Sequence, residues 1–481
     1  MRLIRSSVSE SLSDIKALAA IIQESIGRIE ESLLAKDLPF PSPDTQFTPE
    51  SETARMVPEV LQSINVLVSA AFQLINATRP PAFTMQEVMT SYNLAASFGV
   101  AVSAHVPEIC REAGPQGIHV NDIAAVTGIS PSKLARVLRA LATNHIFVEI
   151  SPDVFANNRN SSIVDTLKSV KDIMANPGEK HAGTMGAAAS VGHCTDECMK
   201  SAAYMTEAIF NQSFAKTGEP NETALNIAFK TDLSGFVWLE TPDNKHRLSR
   251  FGITMDAQRS IIPPEATING NMIGFDWEAL GKDALVVDVG GGLGSQSAIL
   301  ARAFKGLKFV VQDREPVIKG AVAFWEREVH GAVESGRVVL QTHDFFEEQP
   351  QKNADVFFLR WVMHDWSDKY CLIILKRLRA AAKPTTRLMV VDTLVSYACP
   401  EVHVEDIAGA QRPMPPKPLL ANMGHASWVG YSTDIQMMNM ANGEERTITQ
   451  FRKLFAEAGW KLVLVHHNDD PSSSKVVAVP I

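Results

Sequence analysis

The sequence predicts an α/β protein in which an open sheet of seven strands follows an N-terminal half built of helices and a winged-helix-like segment. Three observations predict it. Short apolar or β-branched runs alternate with helix-like stretches from residue 281 to the end, placing strands at 284–289, 307–312, 337–341, 355–359, 387–392, 460–466 and 475–479. The first of these, ALVVDV, is continuously apolar up to Asp288 without alternation, which suits a central parallel strand covered on both faces. It runs straight into Gly290, Gly291, Gly292 and Gly294, and then into SQSAILARAF, which has the composition of a helix.

The N-terminal elements follow in order. Apolar residues at Val8, Leu12, Ile15, Ala19, Ile22, Ile26, Ile29 and Leu33 step alternately by four and three, the seam of an amphipathic or coiled-coil helix that needs a partner surface. Pro39, Pro41, Pro43 and Pro49 mark a linker, and residues 57–77 resume as a largely apolar helix. Residues 95–111 read as one apolar helix. After a break at 114–117, a helix over 120–127, a turn at Gly128, Ser130 as N-cap and Pro131 opening a helix to Leu141 make a helix-turn-helix, with 146–150 and 154–155 as its wing. Residues 165–281 are helix-like and rich in methionine and aromatic residues, most of them core. The chain thus divides into a helical extension (1–85), a winged-helix-like segment (86–165), a helical segment (166–280) and the sheet domain (281–481).

Charge and cysteine usage bound the partners. With 45 Lys and Arg against 54 Asp and Glu the net charge is −9 and the isoelectric point about 5.8, so no general attraction to nucleic acid or an anionic membrane is expected. Lys133, Arg136 and Arg139 on the second helix of the helix-turn-helix lie beside Leu134, Val137 and Leu138, which is not the basic footprint of a DNA reader. Five cysteines without a framework spacing point to a reducing compartment. His193, Cys194 and Cys198 lack an obvious fourth ligand, and the two cysteines lie one helical turn apart, which favours helix packing over a metal. No apolar run approaches the length that spans a bilayer and no signal-peptide core is present, so cytoplasmic residence is expected.

Strand, glycine turn and helix make a nucleotide site, and spacing narrows the nucleotide. The dinucleotide fingerprint G-x-G-x-x-G/A fails, because counting from Gly290 gives Gly292 and then Ser295, and no P-loop sequence occurs. What remains is an acid, G-x-G-x-G, and a second acid, Asp313, closing the run LKFVVQD. A carboxylate there can take both hydroxyls of one ribose. Gly290, Asp313, Asp344, Arg360, His364 and Asp392 all fall at or just after strand ends, so they would converge on one crevice.

DVGGGLG at 288–294, VVQD at 310–313, HDFF at 343–346, LRWVMHDWSD at 359–368, VVD at 390–392 and NGEERT at 442–447 together resemble the motif set of the plant and fungal S-adenosylmethionine-dependent O-methyltransferases of the caffeate and flavonoid type. The similarity spans roughly residues 95–465 in correct order, and HDWSD is specific for the group. The resemblance implies a Rossmann-like sheet ending in an antiparallel hairpin. It also implies a winged-helix domain that dimerises and closes the partner's active site, S-adenosyl-L-methionine as cofactor, S-adenosyl-L-homocysteine as product, and no metal. By the same resemblance Gly290 and Gly292 lie against the methionine part, Asp313 holds the ribose, Asp344 and Phe345 bracket the adenine, and Arg360 replaces a frequent Lys. His364 is the expected base, flanked by Asp392 and Glu445. Phe236, Met255 and Trp361 are nominated to line the acceptor pocket, where methionine and aromatic walls suit a flat apolar acceptor. Three features depart from the family: His343 where Gly is common, Asp392 where the plant enzymes usually carry the longer Glu, and a tract at 398–429 containing PMPPKPLL, long for a loop and expected to be either mobile or a lid.

The implied reaction is displacement at a sulfonium methyl by the oxygen of an aromatic hydroxyl, on a small secondary metabolite. A phenol near pKa 10 and a histidine near 6.5 differ by roughly 3.5 units, about 5 kcal/mol. A carboxylate beside the imidazole and the sulfonium charge both narrow that gap. Two other readings stay open: a cofactor-binding protein that regulates a partner without transferring, and N-, S- or C-methylation on the same scaffold.

Overall fold

The computed structural model describes residues 12–261, 275–400, 404–467 and 474–481. The chain forms two compact units, one of residues 1–206 with 224–266 and the other of residues 207–223 with 267–481.

The first unit opens with α1 (Ser13–Lys36), which ends at Asp37 in a left-handed conformation, and α2 (Pro58–Thr78), which starts on Pro58, where a missing N–H costs nothing. The two helices pack on each other through Leu18, Ile21, Leu33 and Val60. The expected seam is only partly the buried one. Because α2 covers the neighbouring stripe of this alanine-rich helix, Leu12 and Ile26 stay exposed; Val8 lies outside the described residues. A second expectation is corrected at α2, which is long and apolar enough, by length and composition alone, to cross a bilayer. Its scattered Gln62, Asn65, Gln73 and Asn76 interrupt the apolar run without lowering the mean hydropathy below that of a span. On α2, Phe72 and Ile75 are exposed, and on the next helix, α3 (Pro81–Thr90), so are Phe83, Val88 and Met89.

The single helix expected over 95–111 is two, α4 (Tyr92–Ser103) and α5 (Val106–Ala113), because His105 adopts a left-handed φ of 58° and Pro107 sits in the first turn of α5. Then come β1 (Ile118–His119), α6 (Val120–Thr127), Gly128 at φ 71°, α7 (Pro131–Thr143), β2 (Val148–Ser151) and β3 (Val154–Ala156), the strands forming an antiparallel sheet in the order β1-β3-β2. Val106, Ile109, Ile123, Leu134, Leu138, Phe147 and Phe155 form its core. Arg139 is held by Glu149 at 2.8 Å and Asp153 at 2.7 Å, so one of the three cations on α7 is already engaged by the hairpin. Further along, α8 (Ala187–His193) runs into a π-helical turn, Cys194–Cys198, and packs against α9 (Lys245–Ile261).

In the second unit each expected strand is present to within one residue at each end: β4 (Leu285–Val289), β5 (Lys308–Asp313), β6 (Val338–Thr342), β7 (Val356–Arg360), β8 (Arg387–Asp392), β9 (Trp460–His466) and β10 (Ser474–Pro480). The order is β6-β5-β4-β7-β8-β10-β9, parallel except for β10, which runs antiparallel to both neighbours. Alternate side chains feed two cores. Leu388 and Val390 meet α12 (Asp368–Ala381) and α14 (Ile448–Glu457) on one face, while Met389 and Val391 share the other with Trp325 of α11 (Glu315–Glu328) and Ala298 of α10 (Ser295–Ala303). Chain order reverses between β4 and β7, which makes their carboxyl ends the switch point where such sheets bind ligands.

Within the tract expected to be either mobile or a lid, residues 404–410 pack onto the sheet. Val404, Ile407 and Ala410 are buried in the core, the Val465 N–H donates to Ala408 O at 2.8 Å, and a Cβ on Gly409 (φ 73°) would sit 2.1 Å from Val465 O. Small residues at 408–410 let this backbone lie directly on β9.

Candidate active site

Past β4 the chain turns through Gly290 (φ 68°), Gly292 (φ 61°) and Gly294 (φ 83°), angles that L side chains rarely adopt. A Cβ on Gly290 would meet Val362 Cγ2 at 2.9 Å and Phe345 Cε1 at 3.4 Å, whereas one on Gly292 would point into open space. The Gly292 N–H donates to Asp313 Oδ2 at 2.8 Å and the Arg314 N–H to Oδ1 at 2.7 Å, so the second acid is locked against the glycine turn. Asp288 braces the turn from beneath, taking the Ser297 hydroxyl at 2.6 Å, and burial pushes its carboxyl up to about 7 against that hydrogen bond. Burial also raises Asp313, opposed by its two backbone donors. Asp344 is exposed at the end of β6, and Phe345 packs beside Gly290. The Arg360 guanidinium stacks 3.9 Å from the Trp361 ring centroid. An open cradle at Gly292, an acid beside it and an aromatic ring at Gly290 fit the adenosyl cofactor that the motifs imply.

The second cluster lies at the carboxyl end of β7. Trp361 at φ 53° turns the chain, and the 3-10 turn Met363–Asp365 then presents His364, whose ring centroid is 6.5 Å from that of Trp361. His364 Nδ1 lies 2.7 Å from Glu445 Oε1, and Nε2 lies 3.6 Å from Asp365 Oδ1. Glu445 comes from the loop after α13 (Trp428–Ala441). Asn442 at φ 53° ends that helix, and Gly443 follows, where a Cβ would be 2.1 Å from His364 O. The absent side chain lets the Glu444 N–H donate to His364 O at 2.9 Å. Arg446, fully buried, donates to Met363 O, Trp366 O and Asp368 Oδ1 at 3.0, 2.9 and 2.9 Å, fastening the whole 363–368 turn. Residues 207–223 join from the same unit: Gly218 O takes the Ser367 hydroxyl, and Glu219 binds Tyr370.

Asp392 departs from its expected role. It is buried at the end of β8, yet neither carboxylate oxygen has a hydrogen-bond partner among the described residues, so it does not bond the imidazole as Glu445 does. Its side chain ends one methylene short of the usual Glu. Burial pushes Asp392 up to about 7, with His364 pulling the other way. Burial alone would lower His364, but Asp365 and Glu445, helped by Asp392, lift it to about 10. Burial raises Asp365 to about 6.

Of the nominated acceptor-lining residues, Trp361 lies at His364. Phe236 and Met255 belong to the first unit, Phe236 on the turn Gly235–Leu239 with its ring 6.1 Å from Phe251, Met255 exposed on α9. Asp365, Gly443 and Arg446 were not singled out from the sequence, although each stands inside a quoted motif. Among the described residues no group of three or more His, Cys, Asp or Glu is placed to hold a metal ion.

Known proteins share this architecture. Residues 267–408 match the family described as the O-methyltransferase domain. An O-methyltransferase of Armillaria gallica is 41% identical over 98% of this chain and 100% of its own length. The 4-O-methyltransferase 1 of Phanerochaete chrysosporium is 37% identical over 97% of this chain and 99% of its own. Among solved structures, the mitomycin 7-O-methyltransferase superposes with a TM-score of 0.61 at 24% identity, covering 83% of this chain and 98% of that one.

Proposed function

The chain belongs to the S-adenosylmethionine-dependent O-methyltransferases, and from that premise we propose that it methylates an aromatic hydroxyl of a small secondary metabolite, with His364 taking the hydroxyl proton. The observation that carries this reading is the 2.7 Å contact between His364 Nδ1 and the buried Glu445 carboxylate. It fixes the tautomer with hydrogen on Nδ1 and leaves Nε2 as the atom that accepts a proton.

S-adenosylmethionine supplies a methyl group on a positively charged sulfur, ready for displacement. Asp313 takes the ribose hydroxyls, Gly290 and Gly292 admit the methionine part, Asp344 and Phe345 bracket the adenine, and Arg360 contacts the cofactor. The carboxylates around His364 then do the chemical work. Raised to about 10, the imidazole matches a phenol of about 10, so the roughly 5 kcal/mol mismatch of an ordinary histidine disappears. The cost is that at pH 7 only about one imidazole in a thousand is neutral, worth about 4 kcal/mol. A cationic sulfur nearby favours the neutral ring and the phenolate together, and exclusion of water adds to the first of these. Asp392, buried and unbonded, tunes this charge balance rather than orienting the ring. Trp361, beside His364, lines the acceptor.

We read residues 118–156 as a winged helix and the exposed apolar residues of α1, α2 and α3 as the contact of a homodimer. A second copy covers Leu12, Ile26, Phe72, Phe83 and Met89 as a bilayer would, without leaving α2's polar residues in hydrocarbon. Cytoplasmic residence and the absence of nucleic-acid and membrane partners belong to the same reading.

Titration calorimetry with S-adenosylhomocysteine in metal-free buffer, paired with turnover of a phenol panel by wild type and His364→Ala, tests it. Micromolar binding by both proteins with a 100-fold or greater loss of turnover in the variant is the expected result. Full turnover by His364→Ala would sink the mechanism, and no binding by wild type would bring the regulatory reading forward.

A further inference from the structure

We propose that Cys194 and Cys198 form a peroxide-reactive dithiol that closes reversibly into a disulfide. The pair brackets the π-helical turn between α8 and the following helix, in the first unit, and takes no part in the chemistry above. Cys194 is exposed, whereas Cys198 is buried with its Sγ 3.3 Å from His193 Nε2. An exposed cysteine, a second one turn away and an imidazole beside the second suit a resolving disulfide. No other cysteine has this setting. Cys110 and Cys371 are buried and pushed up to about 12, and Cys399, although exposed, stands alone in the sequence.

The microenvironment suits the order of events. The neighbouring Cys198 thiol, with His193 beside it, brings the Cys194 thiol down to about 7 against the rise that burial would otherwise cause. The Cys194 thiolate attacks a hydroperoxide, breaking the O–O bond. It becomes a sulfenic acid as the peroxide is reduced to water or alcohol. Cys198 then loses its proton, with His193 in reach to accept it, and its sulfur displaces hydroxide from Cys194 as water. Two thiols and one hydrogen peroxide thus give one disulfide and two waters. Helical residues four apart hold their Cβ atoms about 5–6 Å apart, and a disulfide needs about 3.5–4.5 Å, so the turn must tighten. A π-helical turn, carrying one residue more than an α-helical one, is the place in a helix where that is easiest.

Closure has neighbours to move. It draws Cys198 from His193, whose ring packs edge-on against Phe251 at 5.4 Å, and Phe251 packs on Phe236 at 6.1 Å. Asp196 and Glu197, lying between the cysteines, hold Arg250 of α9 at 2.8 and 2.7 Å, and α9 carries Met255. Closure is therefore felt within this unit, at the packing of Phe251 on Phe236 and at the hold on α9.

The test is peptide mapping of the purified full-length protein after one equivalent of hydrogen peroxide. The expected product is a Cys194–Cys198 link, two hydrogens lighter and restored by dithiothreitol. Dimedone labels Cys194 in Cys198→Ser and neither member of the pair in Cys194→Ser, an exposed position where folding is not at stake. Against a peptide thiol of ordinary pKa, Cys194 is alkylated about threefold faster at pH 7 and about sixfold faster at pH 6, its larger thiolate fraction outweighing its lower nucleophilicity. Oxidation falling on Cys399 with the pair intact, or Cys194 passing to sulfinic acid without linking, overturns the proposal.

Discussion

Replacing Glu445 by Gln changes one charge and almost no shape, so it separates what Glu445 does as a partner from what it does as an anion. The amide oxygen can still accept from His364 Nδ1, and the tautomer is kept. What is lost is the charge in a contact of 2.7 Å between a fully buried carboxylate and a mostly buried imidazole, a charge-assisted hydrogen bond of about 1.5–3 kcal/mol, or about 1–2 pKa units at His364. The imidazole, now lifted only by Asp365 and Asp392, falls from about 10 toward about 8–9. The base must be neutral to act, so activity rises with pH through this value. The rising limb of kcat/KM therefore moves to lower pH by 1–2 units in Glu445→Gln. With roughly half of the lost basicity felt in the transition state, the plateau drops about 3–10-fold. Below both pKa values the variant is consequently about 3–10-fold faster than wild type, and it is slower only toward the plateau. Initial rates between pH 6 and 10 at saturating cofactor, with the histidine ring titrated by NMR, measure both quantities. Parallel profiles separated by a constant factor would refute the argument, leaving Glu445 only a positioning role.

Three further outcomes are expected. Asp313→Ala weakens S-adenosylhomocysteine about 10–100-fold by calorimetry, because it removes charged acceptors for the ribose and unlocks Gly292 from β5. Asp392→Asn stabilises the protein while slowing turnover. Burial raises this carboxyl, so the native state holds a proton the unfolded chain has released, and wild-type stability falls as pH rises from about 4 to about 7. Removing the orphaned charge recovers about 1–3 kcal/mol at pH 8 and almost nothing below pH 4, as urea midpoints would report. If the proposed homodimer forms, Phe83→Glu combined with Met89→Glu, at positions 62% and 67% exposed, converts it to a monomer in sedimentation velocity without unfolding it.

The sheet was legible because each strand is a short apolar run ending at a charge or a glycine, and such runs have few other ways to be buried. The glycine turn and Asp313 were legible for the same local reason. What the sequence hid depends on distant neighbours. Nothing at Ala104 or His105 announces a break, which follows from the left-handed His105 and the core beneath α4 and α5. The stripe of α1 that is buried was decided by α2, and Ala17 and Ala19 through Ile22 offer more than one apolar face. His364 and Glu445 were found through their motifs. The reason they meet is Gly443, which lets one backbone touch the other, and Arg446, which ties the carbonyls of the opposite turn. A glycine inside NGEERT carries no sign of which backbone it will touch. The orphaned state of Asp392 could be anticipated only as a missing methylene.

The backbone of residues 408–410, lying along β9, bears on how the protein survives at high concentration. β9 is the last strand of its sheet, and an outermost strand of this length would offer a row of unsatisfied amides and carbonyls to any other molecule. The tract covers one point of that row, accepting the Val465 N–H at Ala408 and pressing Gly409 against the Val465 carbonyl. A segment suspected of guarding the entrance to the pocket thus serves at least as much as a stopper on the rim of the sheet. Excising residues 404–412 should then cost solubility before chemistry, with light scattering rising in freshly purified protein that still turns over at low concentration.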